Sequence, residues 1–441
     1  MFINRINELK SLEEEYNKKT SSFSVIYGRR RVGKTSLISK FIENKPHIYL
    51  YITLADLNSQ LDSFIEQIKK YLDDSMKEFV NFDSFEKAIE FLVTIKLEKK
   101  LVFVIDEYQY LVAKDKAFSS KLQKLWDTKL QNSNIYLILC GSVLSMMHSE
   151  VLSYDAPLYG RRTSQFNIKP IKFKYISEFI PSISKLEQMH IYSSFGTIPK
   201  YLNEYDNSLS FMENIEKKIL NKNSYLYSEG NFLLKDEISE PASFFSILKS
   251  ISLGNRKIGH IASSLGVSSS YLSKYMQKLI DLDIVEKQLP ITETNPLKSK
   301  YGLYKIKDKF LNFWFYYVYK NYNYLEIEQT RYVLEEIETN FNDRFVSFAF
   351  EDYVIEDIID NPKKYLDFIP LKVGHWWNNK EEIDIVAYDD KNIAFIECKW
   401  QNSVNIEQVK TKLIQKAKGL HENKNAFYLV VTKNDYLENE N

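Results

Sequence analysis

Apolar positions follow three different rhythms along the chain, and each rhythm predicts a different module. Between residues 23 and 142, three continuous apolar runs (FSVIY, LVFVI and IYLIL) are each followed by polar residues, and the segment from Thr35 onward has apolar residues at helical spacing. Uninterrupted apolar runs that alternate with amphipathic helices are typical of a parallel sheet covered by helices. The first module is therefore predicted to be a parallel αβα sheet.

Between residues 244 and 306, helical spacing dominates. The segments FFSILKSI, KIGHIASSLGV and SSSYLSKYMQKLIDLDIV predict three helices, the second closed by Gly266, and EKQLPITETNPLKSKYGLYKI predicts two strands around a polar loop. Helix, glycine-containing turn, helix and hairpin is the winged helix-turn-helix pattern. The aromatic run FLNFWFYYVYKNYNY at 310–324 could stack on bases, but aromatic residues this dense are expected to pack on each other as core.

Near the C-terminus, alternation with period two marks the stretch EEIDIVAYDDKNIAFIECKW, residues 381–400. We predict a hairpin with strands at 382–388 and 393–399 around a polar turn. If Tyr388 pairs with Ile393, the acidic side chains of the two strands meet on one face.

Asp384 then lies directly opposite Glu397, with Lys399 on the same face. Like charges opposed on a half-buried sheet destabilise it unless something compensates, and a divalent cation held by oxygen ligands does so. Upstream, DRFVSFAFEDYVIEDII predicts a helix that adds Glu351. The predicted metal ligands are Glu351, Asp384 and Glu397, and Lys399 would stabilise the charge that develops on a scissile phosphate. The alternative is a surface hairpin with charges at its end.

On that helix, one stripe is predicted to contain Phe348, Glu351, Ile355 and Ile358, so that a carboxylate replaces an apolar residue on the buried face.

The loop after the first strand carries GRRRVGKT, which is G-x-x-x-x-G-K-T in its strand–loop–helix setting. The glycines let backbone N–H groups face phosphate oxygens, Lys34 reaches the β- and γ-phosphates, and Thr35 ligates Mg2+. After the second apolar run, Asp106 would hold the Mg2+ shell and Glu107 would activate the attacking water. The predicted nucleotide contacts are Gly28, Arg29, Arg30, Arg31, Val32, Gly33, Lys34, Thr35, Ser36 and Asp106. The alternatives are a chance match of the loop and an acidic helix cap.

Two further signals belong to the same module. Ser142, at the end of IYLILCGS, could sense the γ-phosphate. Five of the nine arginines are at 29–31 and in PLYGRRT at 157–163. A lysine-rich chain that keeps arginine here indicates a need for a planar, bidentate phosphate partner. We interpret Arg161 and Arg162 as a catalytic finger or sensor, acting in cis or in trans, with a surface turn as the alternative.

Together these segments resemble a known family. FINRINEL, GRRRVGKTS, VIDEYQYL, LILCGS, PLYGRRT and GTIPKYL are similar to the motifs of archaeal-type ATPases related to the AAA+ and STAND P-loop proteins. The resemblance implies that Arg5, in the leading stretch, and Pro199, in a helical lid, contact the nucleotide. Read alone, they would be a helix charge and a loop proline.

SFAFEDYV, GHWWNNKEEIDIV and FIECKW resemble the PD-(D/E)xK nuclease-like domain that is often fused to these ATPases, although Ile383 stands where that pattern has proline. The 441 residues are too many for one core. We therefore expect a multidomain α/β protein in five segments: a P-loop ATPase core with a parallel αβα sheet at 1–175, a helical lid at 176–240, a winged helix-turn-helix at 241–309, an aromatic linker at 310–329 and an α/β restriction-endonuclease-like domain at 330–441.

The charge of the chain is balanced overall, with 59 basic and 59 acidic residues, but residues 254–309 hold ten basic and five acidic side chains. A polar face of the second helix in this segment could enter a major groove, and the predicted DNA contacts are Ser269, Ser270, Ser273, Lys274, Gln277 and Lys278. That face lies away from the apolar residues Tyr271, Leu272, Tyr275, Met276 and Leu279. The alternative is a winged helix that only packs against protein.

Two distant cysteines, no apolar leader and no apolar run of membrane-spanning length indicate a cytoplasmic protein without a membrane partner. The function predicted from the sequence is an ATP-hydrolysing, DNA-binding protein that uses Mg2+, cleaves DNA with Mg2+ or Mn2+ and could form a homo-oligomer. The alternative is an NTP-gated regulatory switch that binds DNA or protein without nuclease activity.

Overall fold

The computed structural model describes residues 3–53, 56–142, 147–235, 238, 241–296, 298–420 and 423–438. Contacts divide the chain into two compact units, the first formed by residues up to Ile171 with Ile198–Lys200, and the second by Lys172–Thr197 and the chain from Tyr201 onward. The predicted division into five segments is finer and stays a prediction, and its boundary at residue 240 lies outside the described residues.

A five-stranded parallel sheet forms the centre of the first unit. Its strands are β1 Ser22–Tyr27, β2 His47–Tyr51, β3 Leu101–Asp106, β4 Ile135–Gly141 and β5 Ser164–Asn167. They lie in the order β2-β3-β4-β1-β5, and each neighbouring pair is parallel. The central strands β1, β3 and β4 are buried along their whole length, which explains their uninterrupted apolar runs. The predicted parallel αβα sheet is confirmed.

Helices cover both faces of this sheet. Phe23 and Val25 of β1 belong to one apolar cluster and Ile26 to another, because successive side chains of a strand point to opposite faces. The helices of the unit are Ile6–Tyr16, Lys34–Ile42, Leu57–Lys69, Asp74–Lys77, Phe85–Leu92, Tyr108–Lys114 and Phe118–Thr128, with a 3-10 turn at Leu130–Asn132 and a π-helical stretch at His148–Leu152.

The second unit is helical up to residue 281. Its α-helices before the hairpin are Ile176–Phe179, Lys185–Ser194, Phe211–Asn214, Glu229–Lys235, Pro241–Ser252, Ile258–Leu265 and Ser269–Asp281, with Pro199–Leu202 at the junction of the units, a 3-10 turn at Phe173–Tyr175 and a π-helical stretch at Ile215–Leu220. Gly266 ends the helix Ile258–Leu265 in the left-handed region with φ 66°, and Ser268 caps the following helix by accepting a hydrogen bond from the Tyr271 N–H. Strands β6 Val285–Gln288 and β7 Leu303–Ile306 then pair antiparallel.

The aromatic run lies in the core of the second unit. Trp314 and Tyr317 are wholly buried, and the Trp314 indole N–H donates to the Tyr227 carbonyl at 2.8 Å. The expectation that this run packs as core is confirmed. The helices of this stretch and beyond are Lys309–Phe313, Tyr322–Glu326, Thr330–Phe341, Ser347–Asp360, Ile406–Lys416 and Lys433–Glu438, with π-helical stretches at Trp314–Tyr319 and Asn342–Val346 and a 3-10 turn at Pro362–Lys364.

A four-stranded sheet ends the second unit. Its strands are β8 Lys372–Trp377, β9 Glu382–Tyr388, β10 Asn392–Lys399 and β11 Asn425–Thr432, in the order β11-β10-β9-β8. β10 is parallel to β11 and antiparallel to β9. Tyr388 pairs with Ile393, so the predicted hairpin register is confirmed.

The loop between β6 and β7 packs on this sheet. The Ile291 N–H donates to the His375 carbonyl at 2.9 Å, and the indole N–H groups of Trp376 and Trp377 donate to the Thr292 hydroxyl and the Tyr301 carbonyl. The β6–β7 hairpin and the β8–β11 sheet are therefore joined by direct contacts. None of the helices in the described part of the chain has both the length and the apolar character that crossing a membrane requires.

Candidate functional site

The phosphate-binding loop runs from the end of β1 to the helix Lys34–Ile42, which we call the P-loop helix. Gly28 has φ 149°, and a Cβ there would lie 2.3 Å from the Ile168 carbonyl oxygen, so this position requires glycine. Gly33, with φ 93°, starts the helix in a left-handed conformation. Thr35 and Ser36 are exposed in the first turn. The backbone N–H groups at this helix N-terminus are therefore in the arrangement that favours binding of an anion.

Lys34 is buried and folds back on the loop. Its ammonium donates to the carbonyls of Gly28 and Arg29, both at 2.9 Å. Burial lowers the pKa of Lys34, against the opposing charges of Glu107 and Asp106. These loop carbonyls hold the ammonium within the loop, where a nucleotide's phosphates would replace them as partners.

Thr35 and Asp106 form the predicted cation-binding pair. The Thr35 hydroxyl donates to Asp106 Oδ2 at 3.2 Å, and Asp106 is buried at the end of β3. Mg2+ is coordinated by oxygen atoms, so a hydroxyl beside a buried carboxylate fits this ion. Tyr49 on β2 also donates to Asp106, and burial together with this carboxylate raises the Tyr49 pKa. Tyr49 was not predicted, because its contact with Asp106 depends on β2 lying beside β3.

Glu107 is held by two polar side chains. Ser142 Oγ donates to Glu107 Oε2 at 2.8 Å, and the wholly buried Gln109 amide donates to the same oxygen. Gly141 makes room for this cluster, since a Cβ there would lie 2.7 Å from Gln109 Oε1. The structure brings Ser142 to Glu107 rather than leaving it isolated at the sheet edge. Gln109 was missed, although its place two residues after Glu107 in DEYQ was a usable signal.

Arg5 contacts the phosphate-binding loop directly. Its guanidinium donates to the Val32 carbonyl at 3.1 Å and to the Lys169 carbonyl, and it pairs with Glu8 at 3.1 Å. The Arg5 side chain therefore stabilises the loop by hydrogen bonds to backbone carbonyls. Among the loop arginines, Arg30 donates to the Tyr110 hydroxyl at 2.7 Å.

Arg161 and Arg162 lie before β5, which starts at Ser164 beside Ser24 at the beginning of β1. Because the strands are parallel and the phosphate-binding loop follows the end of β1, the backbone of both arginines is at the opposite sheet edge. Arg161 pairs with Asp127 at 3.0 Å, and Arg162 donates to the Val151 carbonyl at 2.8 Å.

Pro199 starts a short helix, and residues 198–200 group with the first unit although the chain around them belongs to the second.

The predicted DNA-contact face is on the helix Ser269–Asp281. Tyr271, which the pattern placed on the apolar face, is 44% exposed, and Lys274 Nζ lies 4.8 Å from the centre of the Tyr275 ring. Gln277 donates to Asp281 at 2.9 Å. The predicted contacts comprise five exposed residues and one half-buried residue, namely Ser269, Ser270, Ser273, Lys274 and Gln277, and Lys278.

Three of the ten basic residues counted in this segment are neutralised by acids. Lys305 and Lys309 both pair with Asp352, at 2.8 and 2.5 Å, and Lys307 pairs with Asp283 at 2.5 Å. Asp352 lies outside the segment that was counted. The local positive excess read from the sequence is therefore larger than the charge that the segment can offer to phosphates.

In the C-terminal sheet, lysines balance the opposed acids. Lys399 Nζ lies 2.7 Å from Glu397 Oε2 and 3.4 Å from Asp384 Oδ2, and Lys416 Nζ lies 2.7 Å from Glu397 Oε1. The Cys398 N–H donates to Asp384 at 2.8 Å. Burial would raise the pKa of Glu397, but the two ammonium groups outweigh it and hold that pKa low. Burial and the Glu397 charge raise the pKa of Asp384.

Glu351 lies on the helix Ser347–Asp360, which we call the Glu351 helix. His375 Nδ1 is 2.6 Å from the Asp384 carbonyl oxygen and 3.9 Å from Glu351 Oε2. Burial, followed by the charge of Asp384, raises the pKa of Glu351 well above its usual range. His375 was not predicted, because it lies on β8 and reaches the site only through the sheet order.

Two expectations at this site need correction. The described residues contain no group of three His, Cys, Asp or Glu side chains placed to hold a metal ion, so Glu351, Asp384 and Glu397 interact with one another without forming the predicted ligand set. As arranged, these residues do not fit a divalent ion, because ammonium groups occupy both Glu397 oxygens. The helix stripe is also wrong at Phe348, which is 48% exposed, whereas Ile358 is buried as predicted, together with Ala349, Phe350 and Val354.

Two family models match the chain. Residues 2–205 match an ATPase domain found predominantly in Archaea, and residues 314–413 match a group of archaeal and bacterial proteins of unknown function. The chain is 35% identical to the uncharacterized protein MJECL04 of Methanocaldococcus jannaschii over 446 aligned residues, covering 100% of this chain and 97% of that protein. It is 56% identical over 45 residues to the uncharacterized ATP-binding protein MJ0423 of the same organism, covering 10% of this chain and 76% of the relative.

The Walker-type ATPase PABY2304 of Pyrococcus abyssi has a similar fold, with a TM-score of 0.50 and 19% identity. The similarity covers 70% of this chain and 95% of that structure.

Proposed function

Because the chain belongs to the family of archaeal-type P-loop ATPases, we propose that it hydrolyses ATP in its first unit and acts on DNA through its second. The observation that supports hydrolysis is the arrangement of Lys34, Thr35, Asp106 and Glu107 around one loop, with Thr35 and Asp106 in hydrogen-bond contact. The family supports ATP hydrolysis, and DNA as the partner of the second unit is an additional proposal.

Residues of the loop and of the neighbouring strand ends have separate parts in hydrolysis. The backbone N–H groups and Lys34 bind the phosphates, and bound Mg2+ would neutralise charge on the β- and γ-phosphate oxygens beside Thr35 and Asp106. Glu107 orients the attacking water, and Ser142 with Gln109 fixes the carboxylate that accepts its proton. We further propose that Arg161 or Arg162 contacts the nucleotide of a neighbouring copy, since both lie away from the loop of their own chain.

Hydrolysis is tested with two loop variants and a matched control. Lys34→Ala should abolish nucleotide binding, whereas Glu107→Gln should bind ATP and lose turnover, by a factor of about 100 or more for a lost general base. Lys40→Ala is the control, because Lys40 lies on the same helix and pairs only at the surface with Glu43. Phosphate release and a fluorescent nucleotide are the two measurements. Undiminished hydrolysis by Glu107→Gln would remove that residue from the catalytic role.

DNA binding is proposed for the polar face of the helix Ser269–Asp281, where Lys274 is exposed. The double variant Lys274→Ala, Lys278→Ala should weaken duplex binding and reduce its dependence on salt, because each lost phosphate contact releases one counterion fewer. Lys287→Ala, on β6, is the control. Fluorescence anisotropy at several salt concentrations measures both effects, and wild-type affinity in the double variant would favour a packing role.

A second candidate function is cleavage of DNA phosphodiesters by the second unit. It is favoured by the contact of Lys399 with both Asp384 and Glu397, near Glu351, in the segment that resembles PD-(D/E)xK nucleases. Lys399 would stabilise the charge on the scissile phosphate. Incubation with several DNA forms, with and without ATP and Mn2+, tests it. Activity that disappears in Asp384→Ala and Lys399→Ala supports a nuclease, and its absence in the wild type favours an NTP-gated binding switch.

A further inference from the structure

A cavity of about 260 Å3 lies in the second unit between β7, the Glu351 helix and β8. It is separate from the phosphate-binding loop, because all its lining residues are in the second unit. Glu351 is part of its wall, so the cavity adjoins the cluster of acids and Lys399 in the C-terminal sheet.

Two of the nine arginines of the chain line this cavity. Arg256 donates through Nη2 to Gln288 at 2.8 Å. Arg344 donates to the Ser252 carbonyl at 3.3 Å and stacks on the Tyr316 ring at 4.4 Å, and its buried Nε has no hydrogen-bond partner among the described residues. A guanidinium has five N–H donors, so each of the two side chains has N–H groups beyond those used in these bonds.

Charged residues line the cavity beside apolar ones. Lys305 and Lys309 also line it, but both are paired with the buried Asp352. Four basic side chains therefore line the cavity with three acidic ones, Glu351, Asp352 and Glu382, and the guanidinium groups of Arg256 and Arg344 pair with none of these carboxylates. A planar guanidinium is the side chain that best matches the oxygens of a phosphate.

One wall of the cavity is aromatic. Phe348 lines it and is 48% exposed, although it stands on a helix whose other apolar residues are mostly buried. The same lining includes Tyr304 of β7. An exposed aromatic ring such as Phe348 beside cationic donors is the combination with which proteins bind the bases and phosphates of single nucleic-acid strands.

We propose that this cavity binds a nucleoside phosphate, with the phosphate on Arg256 and Arg344 and the base against Phe348. The inference deepens the proposed function and rests on the role of the second unit in binding DNA. A nucleotide of a strand held here stands beside Glu351, so the cavity would position the strand for the C-terminal acids and Lys399. A free nucleotide has the same chemistry and is distinguished experimentally.

The test uses the full-length chain with Lys34→Ala, so that the first unit does not bind the probe. Binding of a fluorescein-labelled thymidine hexanucleotide is measured by anisotropy, and dTMP is added as a competitor. Arg256→Gln and Phe348→Ala should each weaken binding about tenfold, through a lost charge-assisted hydrogen bond and a lost stacking partner. Arg331→Gln and Phe232→Ala should leave it unchanged, because both side chains are exposed outside the cavity. Thermal unfolding verifies that each variant is folded.

Selective weakening in the two cavity variants supports the proposal, with a strand as the source if dTMP does not displace the bound hexanucleotide and a free nucleotide if dTMP displaces it. Equal affinity in cavity and control variants overturns it. DNA binding and cleavage by the chain with an intact Lys34 are measured in parallel. If Arg256→Gln keeps wild-type DNA affinity and cleavage, the cavity proposal is refuted and the proposed function stands. If Asp384→Asn loses cleavage but binds the hexanucleotide as the wild type does, the cavity binds the strand independently of the catalytic acids.

Discussion

His190 is a neutral histidine within the aromatic packing of the second unit. Its ring centre lies 5.1 Å from that of Phe211 and 5.7 Å from that of Phe341. Burial, followed by the charge of Lys433, lowers the pKa of His190 from 6.5 to about 4. Between these pH values the unfolded chain binds a proton that the folded chain does not, so the free energy of unfolding falls as the pH falls through this window.

We predict that His190→Gln removes this pH dependence. A difference of 2.5 pKa units corresponds to about 3 kcal/mol between full stability above pH 6.5 and the acid end of the window. Urea unfolding of the full chain between pH 7.5 and 4.5 measures it. His260→Gln serves as the control because His260 is exposed. Parallel stability curves for wild type and His190→Gln would contradict the assignment.

At the same scale, the residues of the two candidate sites differ in how far they could be predicted from the sequence. Lys34, Thr35 and the Asp106–Glu107 pair were predictable because the spacing of a loop and the polar end of an apolar strand are local patterns. Tyr49 and His375 were not, because each reaches its partner across a neighbouring strand. The family resemblance implied a nucleotide contact for Arg5, and its contact with Val32 could not be predicted because nothing local links residues 27 positions apart.

At the scale of elements, lysines from the β9–β10 hairpin and from the helix Ile406–Lys416 balance the carboxylate charges of the acidic site. Lys416 reaches Glu397 Oε1 from the last residue of that helix. Removing this ammonium frees one oxygen and leaves two carboxyl groups with a single lysine. The site would then have both the negative charge and the open oxygen that a divalent cation requires.

We predict that Mn2+ raises the melting temperature of Lys416→Met by several degrees more than that of the wild type, because a ligand that binds only the folded state stabilises it. Asp384→Asn should abolish the response and raise stability in chelator, since it removes one of two opposed charges. Lys412→Met, on an exposed part of the same helix, is the control. Identical Mn2+ responses in Lys416→Met and Asp384→Asn would reject metal binding here.

The hairpin register followed from the assumed pairing of Tyr388 with Ile393 across the polar turn, because the turn sets which residues of the two strands oppose each other. The lysine compensation could not be predicted, because Lys416 follows Glu397 by 19 positions on a different element. Helical periodicity also misplaced Phe348, since it reports which residues share a stripe and not whether that stripe meets core or cavity.

At the scale of the whole second unit, the β6–β7 loop is part of the packing of the C-terminal sheet. Ile291 packs on Gly374, where a Cβ would lie 3.3 Å from Ile291 Cδ1. Ile291→Asp should lower the free energy of unfolding by about 2 kcal/mol, the order of cost for an unpaired polar group at a packed site. Ile327→Asp, at a side chain that is 68% exposed, should change it by less than about 0.5 kcal/mol. Chemical denaturation compares them, and equal losses would show that the loop is not packed.

The contacts of the β6–β7 loop also determine which fragments of the chain should remain folded and soluble. A fragment that begins at residue 330 would contain β8 and β9 without the chain that donates to His375 and accepts from Trp376 and Trp377. Two indole groups and an apolar groove would then face water, which favours self-association. A fragment that begins at residue 172 keeps the hairpin with its sheet and also the chain that packs on Trp314 and Phe341, so it is the piece from which we expect a monodisperse preparation of the C-terminal sheet.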